Sequence, residues 1–109
     1  MFPRTHKEAF MPKVVEFVTF KLNEGVSEQQ LLATSDEFNE SFLSLQKGYI
    51  SRKLIRDGNI WSDIVLWETM EDAMSAVKAC ENNPAVGSYF KCIEESSCTM
   101  RHFSIVKNY

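Results

Sequence analysis

One stretch of the chain, residues 59–68, constrains the fold more than any other. It holds both tryptophans, Trp61 and Trp67, in a dense apolar run with a single acid, Asp63, at its centre. A strand that is apolar on both faces must be covered on both, so this one is expected in the interior of a sheet. Asp57-Gly58 just before it predicts a hairpin turn.

The rest of the chain alternates between strand and helix patterns. β-branched and aromatic runs predict strands, and apolar residues at helical spacing after a capping residue predict helices. Besides the central stretch, the predicted strands are residues 14–22, 49–56 and 98–106, and the predicted helices are residues 28–46, 70–80 and 84–95. The apolar stripes of the helices include Leu45, Met70 and Met74, which are expected in the core.

This order of elements predicts two β-α-β units with right-handed crossovers. Interleaving them gives an α+β, ferredoxin-like β-α-β-β-α-β fold, with a four-stranded antiparallel sheet of order 4-1-3-2 and the helices on one face. Arg52, Lys53 and Arg56 make the second strand the most charged, which is typical of a sheet edge. Residues 13–109 are expected to form one domain, preceded by a loosely ordered N-terminal extension, residues 1–12.

The two faces of the predicted sheet are both apolar, although the helices can cover only one. In the third strand Trp61 and Trp67 lie on one face, and Ile64 and Leu66 lie on the other. The uncovered face would expose several hundred Å² of apolar surface, more than a soluble monomer usually tolerates. Face-to-face pairing of two sheets would bury about 800 Å² on each partner. The sequence therefore predicts a homodimer but leaves open which face meets the helices.

Composition and motifs exclude several classes of protein. The net charge is −3 and basic residues are not clustered, which argues against a nucleic-acid partner. No apolar run reaches the length of a membrane span, so no membrane association is expected. Cys80, Cys92 and Cys98 fit neither a disulfide framework nor a zinc pattern, and free thiols favour the cytoplasm. With no metal or cofactor motif present, cofactor-free chemistry or none is expected.

The pattern resembles the dimeric α/β barrel superfamily, and within it the antibiotic-biosynthesis-monooxygenase-like branch. The resemblance rests on residues 14–20 with the turn at residues 25–27, the entry to the second strand at residues 48–51, the strand-to-helix junction at residues 64–69 and the Asn83-Pro84 helix start. It implies the same dimeric fold and a range of activities: cofactor-independent oxygenases, haem-degrading enzymes, and isomerase-like and dye-peroxidase relatives.

The haem-degrading relatives carry a histidine, a tryptophan and an asparagine at set places. Trp67 is similar to their tryptophan at the end of the third strand. The helix position of the histidine holds Tyr89 or Phe90 here, and the first strand offers Glu16 instead of asparagine. No haem ligand is therefore expected.

Three ionisable residues interrupt apolar strand faces: Glu16, Asp63 and His102. A buried charge requires a partner, and a Glu16–His102 contact across neighbouring strands would hold a proton near neutral pH and serve as a general base. The alternative is that each is a satisfied structural group. Arg101 either pairs with Asp63 or lies at the rim of the sheet.

Large aromatic residues predict an apolar pocket between sheet and helices, with ordinary core packing as the alternative. They are Trp61, Trp67, Tyr49, Tyr89 and Phe90. The leading hypothesis is a homodimer that binds a small aromatic or apolar molecule and oxygenates it without a cofactor. Its alternatives are a non-catalytic, stress-related or structural binding module and an isomerase-like activity.

Overall fold

The computed structural model describes residues 11–109 as one four-stranded sheet packed against helices. Its strands are β1 (Val14–Phe20), β2 (Tyr49–Asp57), β3 (Ile60–Trp67) and β4 (Thr99–Ser104), and its α-helices are α1 (Glu28–Ser41), α2 (Met70–Ala79) and α3 (Pro84–Phe90). Two short 3₁₀ turns, Leu43–Leu45 and Glu95–Ser97, follow α1 and precede β4. Most of the predicted N-terminal extension, residues 1–10, lies outside the described residues.

The sheet has the order β2-β3-β1-β4 with antiparallel pairing throughout. The predicted α+β ferredoxin-like fold and its strand order are therefore confirmed. The two most apolar strands, β1 and β3, occupy the centre of the sheet, where each has a strand on both sides. Within residues 11–109, no helix is both long and apolar enough to cross a bilayer.

The structure settles which face of the sheet meets the helices. Burial alternates along β1, where Val14, Glu16, Val18 and Phe20 are buried and the residues between them are half-buried. In β3 the same buried face carries Trp61, Asp63, Val65 and Trp67, as the strand register requires. Both tryptophans therefore face the helices, and no helix of the described part of the chain covers the opposite face.

Helix ends follow the local signals in the sequence. Ser27 and Gln30 form the predicted capping box of α1: the Ser27 side chain accepts from the Gln30 backbone N–H, and the Gln30 side chain accepts from the Ser27 N–H. Asn83 caps α3 by accepting from two backbone amides, with Pro84 at the first helical position. Gly48 adopts a φ of +84°, and a Cβ atom there would lie only 2.2 Å from Asp72 Oδ2.

Three predicted core residues are instead exposed. Leu45 is 72% exposed because α1 ends at Ser41 and the following 3₁₀ turn changes the helical spacing, so that Leu43 is buried in its place. Met70 and Met74 are 38% and 43% exposed because α2 buries its alanines. The prediction of these three as core residues was wrong.

Candidate functional site

An apolar cavity of about 710 Å³ lies between the sheet and the helices. Its apolar walls come from β1 and β3, from α1 and its 3₁₀ turn, and from α2 and α3. They include Val18, Phe38, Phe42, Leu43, Val65, Trp67, Ala76, Val77, Tyr89 and Phe90. Two carboxylates, Glu16 and Asp63, lie on its sheet side. The cavity is therefore apolar with a small number of polar groups, as small-molecule sites usually are.

Glu16 and His102 form the first polar group of the sheet face. They are direct partners in the register of β1 and β4, and the Nε2 atom of His102 lies 3.0 Å from Glu16 Oε1. Both side chains are largely buried, at 11% and 13% exposure. Burial raises the pKa of Glu16 above its ordinary value, and the hydrogen bond and charge of His102 offset only part of this rise. The contact expected from the sequence is present in the structure.

Asp63 is the centre of the second polar group. Its Oδ1 accepts from Arg52 Nε at 2.7 Å, and its Oδ2 accepts from the Tyr89 hydroxyl at 2.6 Å. Arg52 Nη1 also donates to the backbone oxygen of Ser35 at 3.2 Å. The sequence analysis left open whether Arg101 pairs with Asp63 or lies at the rim of the sheet. Arg101 instead lies on the opposite face of the sheet, over the ring of Phe103.

Arg52 is held in a closely packed aromatic setting. Its guanidinium carbon lies 5.1 Å from the ring centre of Phe38 and 5.2 Å from that of Tyr89. Burial alone would lower the pKa of Arg52, but the neighbouring Asp63 carboxylate outweighs it and raises that pKa above the ordinary value. The guanidinium therefore stays charged and neutralises Asp63 inside the protein.

Two buried polar atoms of this region have no hydrogen-bond partner among the described residues: Arg52 Nη2 and Trp67 Nε1. Trp67 is fully buried and lines the cavity. An unpaired buried donor is unfavourable by about 1–3 kcal/mol, so such atoms are rare in folded proteins. The Trp67 N–H nevertheless acts on the Glu16 carboxyl and lowers its pKa, so it points towards the Glu16 end of the cavity.

The structure brings only some of the sequence candidates to the cavity. Glu16, Asp63, Trp67, Tyr89 and Phe90 line it, and His102 adjoins it through Glu16.

Tyr49 and Trp61 do not line the cavity. Tyr49 packs edge-on against Trp67, with its hydroxyl 3.5 Å from Asn39 Oδ1. Trp61 is buried beneath Arg56, whose guanidinium carbon is 5.3 Å from its ring centre.

Two cysteines, Cys80 and Cys98, also line the cavity. Burial, with a smaller contribution from the Glu16 charge, raises the pKa of Cys80 to about 11. Burial likewise raises the pKa of Cys98. Both thiols therefore stay protonated at neutral pH, which makes them poor nucleophiles and metal ligands. Among residues 11–109 there is no group of three or more potential metal-ligating side chains.

Sequence reasoning missed Arg52, which it assigned to edge protection. A signal was present in the hairpin. The Asp57–Ile60 pair closes the turn, and counting back from it places Arg52 opposite Val65, diagonal to Asp63 and on the same face. Diagonal neighbours in antiparallel strands are within reach of long side chains, so this count could have identified the partner of the buried acid.

Comparison with known proteins supports the fold. No protein-family model matches this sequence, and no curated protein matches it. Among solved structures, a mutant form of SnoaB, a cofactor-independent oxygenase from Streptomyces nogalater, has 13% identity over 89% of this chain and 96% of its own, with a TM-score of 0.72. A candidate antibiotic biosynthesis monooxygenase from Bordetella bronchiseptica has 16% identity over 88% and 99%, with a TM-score of 0.73.

The same fold also hosts other chemistry. The hydroxynitrile lyase from Passiflora edulis has 12% identity over 91% of this chain and 98% of its own, with a TM-score of 0.61. The resemblance of this chain to antibiotic-biosynthesis-monooxygenase-like proteins is therefore a shared fold, and the choice of reaction depends on the side chains in the cavity.

Proposed function

We propose that this protein binds a small aromatic molecule in the cavity and oxygenates it without a cofactor. The observation that carries the proposal is the Glu16–His102 pair at the wall of an apolar cavity. Burial raises the pKa of Glu16, and a carboxylate with a raised pKa is a stronger base than an exposed one. The apolar walls suit an aromatic ring system, and the solved oxygenase with the same fold makes the reaction class a natural candidate.

The proposed reaction begins with removal of a phenolic proton by Glu16, with His102 sharing that proton. The resulting phenolate is electron-rich and passes one electron to O₂, which gives a phenoxyl radical and superoxide. The two recombine at a ring carbon that carries hydrogen, and the peroxide formed loses water to leave a second carbonyl. One phenol and one O₂ thus give one quinone and one water, with no external reductant.

The remaining polar groups have supporting roles in this proposal. The N–H of Trp67, which acts on Glu16, would donate to the substrate oxygen as negative charge develops on it, which favours ionisation. The apolar walls would keep bulk water from the radical pair.

Oxygen uptake tests the proposal. We expect wild-type protein in chelator-treated buffer to consume O₂ with members of a phenol and hydroquinone panel. Glu16→Gln keeps the shape of the side chain but removes the base, and His102→Ala removes its partner. Both should slow uptake at least about 100-fold, the usual range for loss of a general base. Ser104→Ala, an exposed change on the same strand, should leave the rate unchanged. Equal background uptake in all four proteins would refute oxygenation.

A specific observation also favours a non-catalytic binding module. Both carboxylates on the sheet side of the cavity already have partners inside the protein, Glu16 with His102 and Asp63 with Arg52 and Tyr89. A protein that only binds would show saturable association with aromatic probes and no O₂ uptake with any of them.

We also propose that the protein acts as a homodimer through the open sheet face. This face presents apolar residues from three strands, namely Val15, Phe17, Ile64, Leu66 and Phe103, with Phe103 39% exposed. A contiguous apolar surface of this kind favours association.

Light scattering tests the dimer. The wild type should have the mass of two chains, and Leu66→Arg on the open face should shift it towards one. Leu45→Arg, at a residue that is already 72% exposed, should not change the mass. A wild-type mass of one chain at micromolar concentration would exclude the dimer.

A further inference from the structure

We propose that Tyr89 accepts a hydrogen bond from the ligand, so that the cavity selects molecules carrying an O–H or N–H group over methylated analogues of similar shape. The inference deepens the proposed function and rests on its first part, the binding of a small aromatic molecule. It does not depend on whether the bound molecule is oxygenated. A molecule that Glu16 deprotonates would need a second O–H or N–H group for Tyr89, because one O–H donates only one hydrogen bond.

The direction of the Tyr89–Asp63 hydrogen bond carries the inference. The two oxygens are 2.6 Å apart, and the other oxygen of Asp63 accepts from Arg52 Nε at 2.7 Å. A carboxylate in an ion pair with a guanidinium has only acceptor positions to offer. The proton between Tyr89 and Asp63 must therefore come from the phenol. Burial, and after it the charge of Asp63, raises the pKa of Tyr89, so the phenol keeps this proton.

A phenol whose only proton is engaged can offer a ligand nothing but acceptor positions. A tyrosine hydroxyl is one donor and an acceptor. The Arg52 guanidinium offsets part of the rise in the Tyr89 pKa, but none of its N–H groups makes a hydrogen bond to the Tyr89 oxygen. Arg52 Nε and Nη1 donate to Asp63 and Ser35, and Nη2 has no partner among the described residues. Since both Tyr89 and Asp63 line the cavity, the remaining acceptor is available to a molecule bound there.

The Tyr89 ring is fixed in place by its neighbours. It stacks on Phe38 with ring centres 4.8 Å apart and an angle of 9°, and it meets Phe20 edge-on at 6.2 Å. Tyr89 is 1% exposed, so its side chain has little room to turn its hydroxyl away from Asp63. A ligand therefore meets an acceptor with a fixed position and a fixed polarity.

A fixed acceptor in a buried site distinguishes ligands that can donate a hydrogen bond from ligands that cannot. A site built to pair with a substrate O–H or N–H rejects the analogue that lacks it, because the buried polar group is then left without a partner. The Trp67 N–H does not provide this discrimination, because an alcohol and its methyl ether both offer an oxygen to that donor.

Equilibrium dialysis with two matched probe pairs tests the inference: 2-naphthol against 2-methoxynaphthalene, and indole against 1-methylindole. We expect wild-type protein to bind the first member of each pair about tenfold more tightly. Tyr89→Phe alone would free Asp63 Oδ2, which also belongs to the cavity wall, as a new acceptor. The double variant Tyr89→Phe/Asp63→Asn removes both the phenol and the carboxylate, and it should reduce both ratios to about twofold or less, mainly by weakening the first members. Tyr49→Phe is the matched control, because its hydroxyl lies beside Asn39 outside the cavity, and it should keep the wild-type ratios.

Three outcomes would overturn the inference. If wild type binds both members of each pair equally, the cavity has no such selectivity, although the proposed binding function stands. If the ratios stay near tenfold in Tyr89→Phe/Asp63→Asn, another group, such as Glu16, causes the selectivity. If no probe binds at any soluble concentration, the proposed binding function fails together with the inference. Equal binding of the two members of each pair by wild type would overturn the inference even if neither variant folds.

Discussion

The two polar groups on the helix-facing side of the sheet lie two residues apart along their strands, yet they hold their protons very differently. In the Arg52–Asp63–Tyr89 group every hydrogen bond has a fixed direction, set by a permanent cation and a carboxylate. The Glu16–His102 hydrogen bond joins two titratable side chains, and burial raises the pKa of the glutamate. The first group can orient a ligand, and only the second can take a proton from it.

The largest expected effect comes from removing the permanent cation. Arg52→Met keeps most of the side-chain volume but leaves Asp63 as a buried carboxylate without a countercharge. We expect the free energy of unfolding to fall by about 3–5 kcal/mol, the usual loss when one partner of a buried ion pair is removed. Urea denaturation measures this.

Arg56→Met is the control for this prediction. Arg56 lies in the same strand and pairs with Glu28, but both side chains are about half exposed. An exposed ion pair contributes at most about 1 kcal/mol, so the loss should be correspondingly small. Equal losses in the two variants would contradict the view that the Asp63 group is a buried, fixed network.

The second effect is a pH dependence that only the Glu16–His102 pair should show. Burial raises the pKa of Glu16 in the folded chain above its ordinary value of 4.5. The folded state therefore binds this proton more tightly than the unfolded state. The stabilisation is fully present below the unfolded pKa and is lost as the pH rises through the folded one.

Glu16→Gln makes this dependence visible because glutamine cannot ionise. As the pH rises from about 4.5, wild-type protein should lose stability relative to the variant, and the difference should level off once Glu16 is ionised. Urea denaturation at a series of pH values provides the comparison. A stability difference that does not change with pH would mean that Glu16 titrates alike in both states. Glu68→Gln, which removes an exposed carboxylate, is the control.

The smallest expected effect is on a neighbouring thiol. The Glu16 charge contributes to the pKa of about 11 at Cys80. Removing it in Glu16→Gln should lower that pKa and speed alkylation by iodoacetamide about twofold, because the thiolate is the reactive form. Site-resolved mass spectrometry would follow the rate. Cys98 is the internal control, since the charges acting on it are those of Asp63 and Glu95. Equal acceleration at both cysteines would indicate loosened packing instead.

The sequence was sufficient for the fold because its signals were local and agreed with one another. The Ser27 and Asn83 caps and the Asp57-Gly58 turn gave the order of elements along the chain, and the two apolar strands agreed with the strand order that this implied. The Glu16–His102 contact also followed from strand adjacency. Arg52 did not, because its role depends on the register of the hairpin and not on composition.

The helices show where sequence patterns have less power. Met70 and Met74 have the right spacing for a core stripe, but spacing alone does not determine which side of a helix faces the sheet. α2 turns Ala73 and Ala76 inward instead, and Ala76 becomes part of the cavity wall. The cavity therefore depends on which small residues face the sheet. This is a property of the packing, and it cannot be predicted from any single residue.

The close approach of Gly48 to Asp72 has a consequence for how the chain can vary. Gly25 and Gly58 also adopt positive φ, but no atom lies within 4 Å of where their Cβ would be, so asparagine could stand at either with modest strain. At Gly48 any side chain would collide with Asp72, and the Gly48 carbonyl also accepts from the Glu68 backbone N–H. This contact brings the start of β2 against the start of α2, which belong to the two different β-α-β halves. Residue 48 must therefore remain glycine for the two halves to pack this closely.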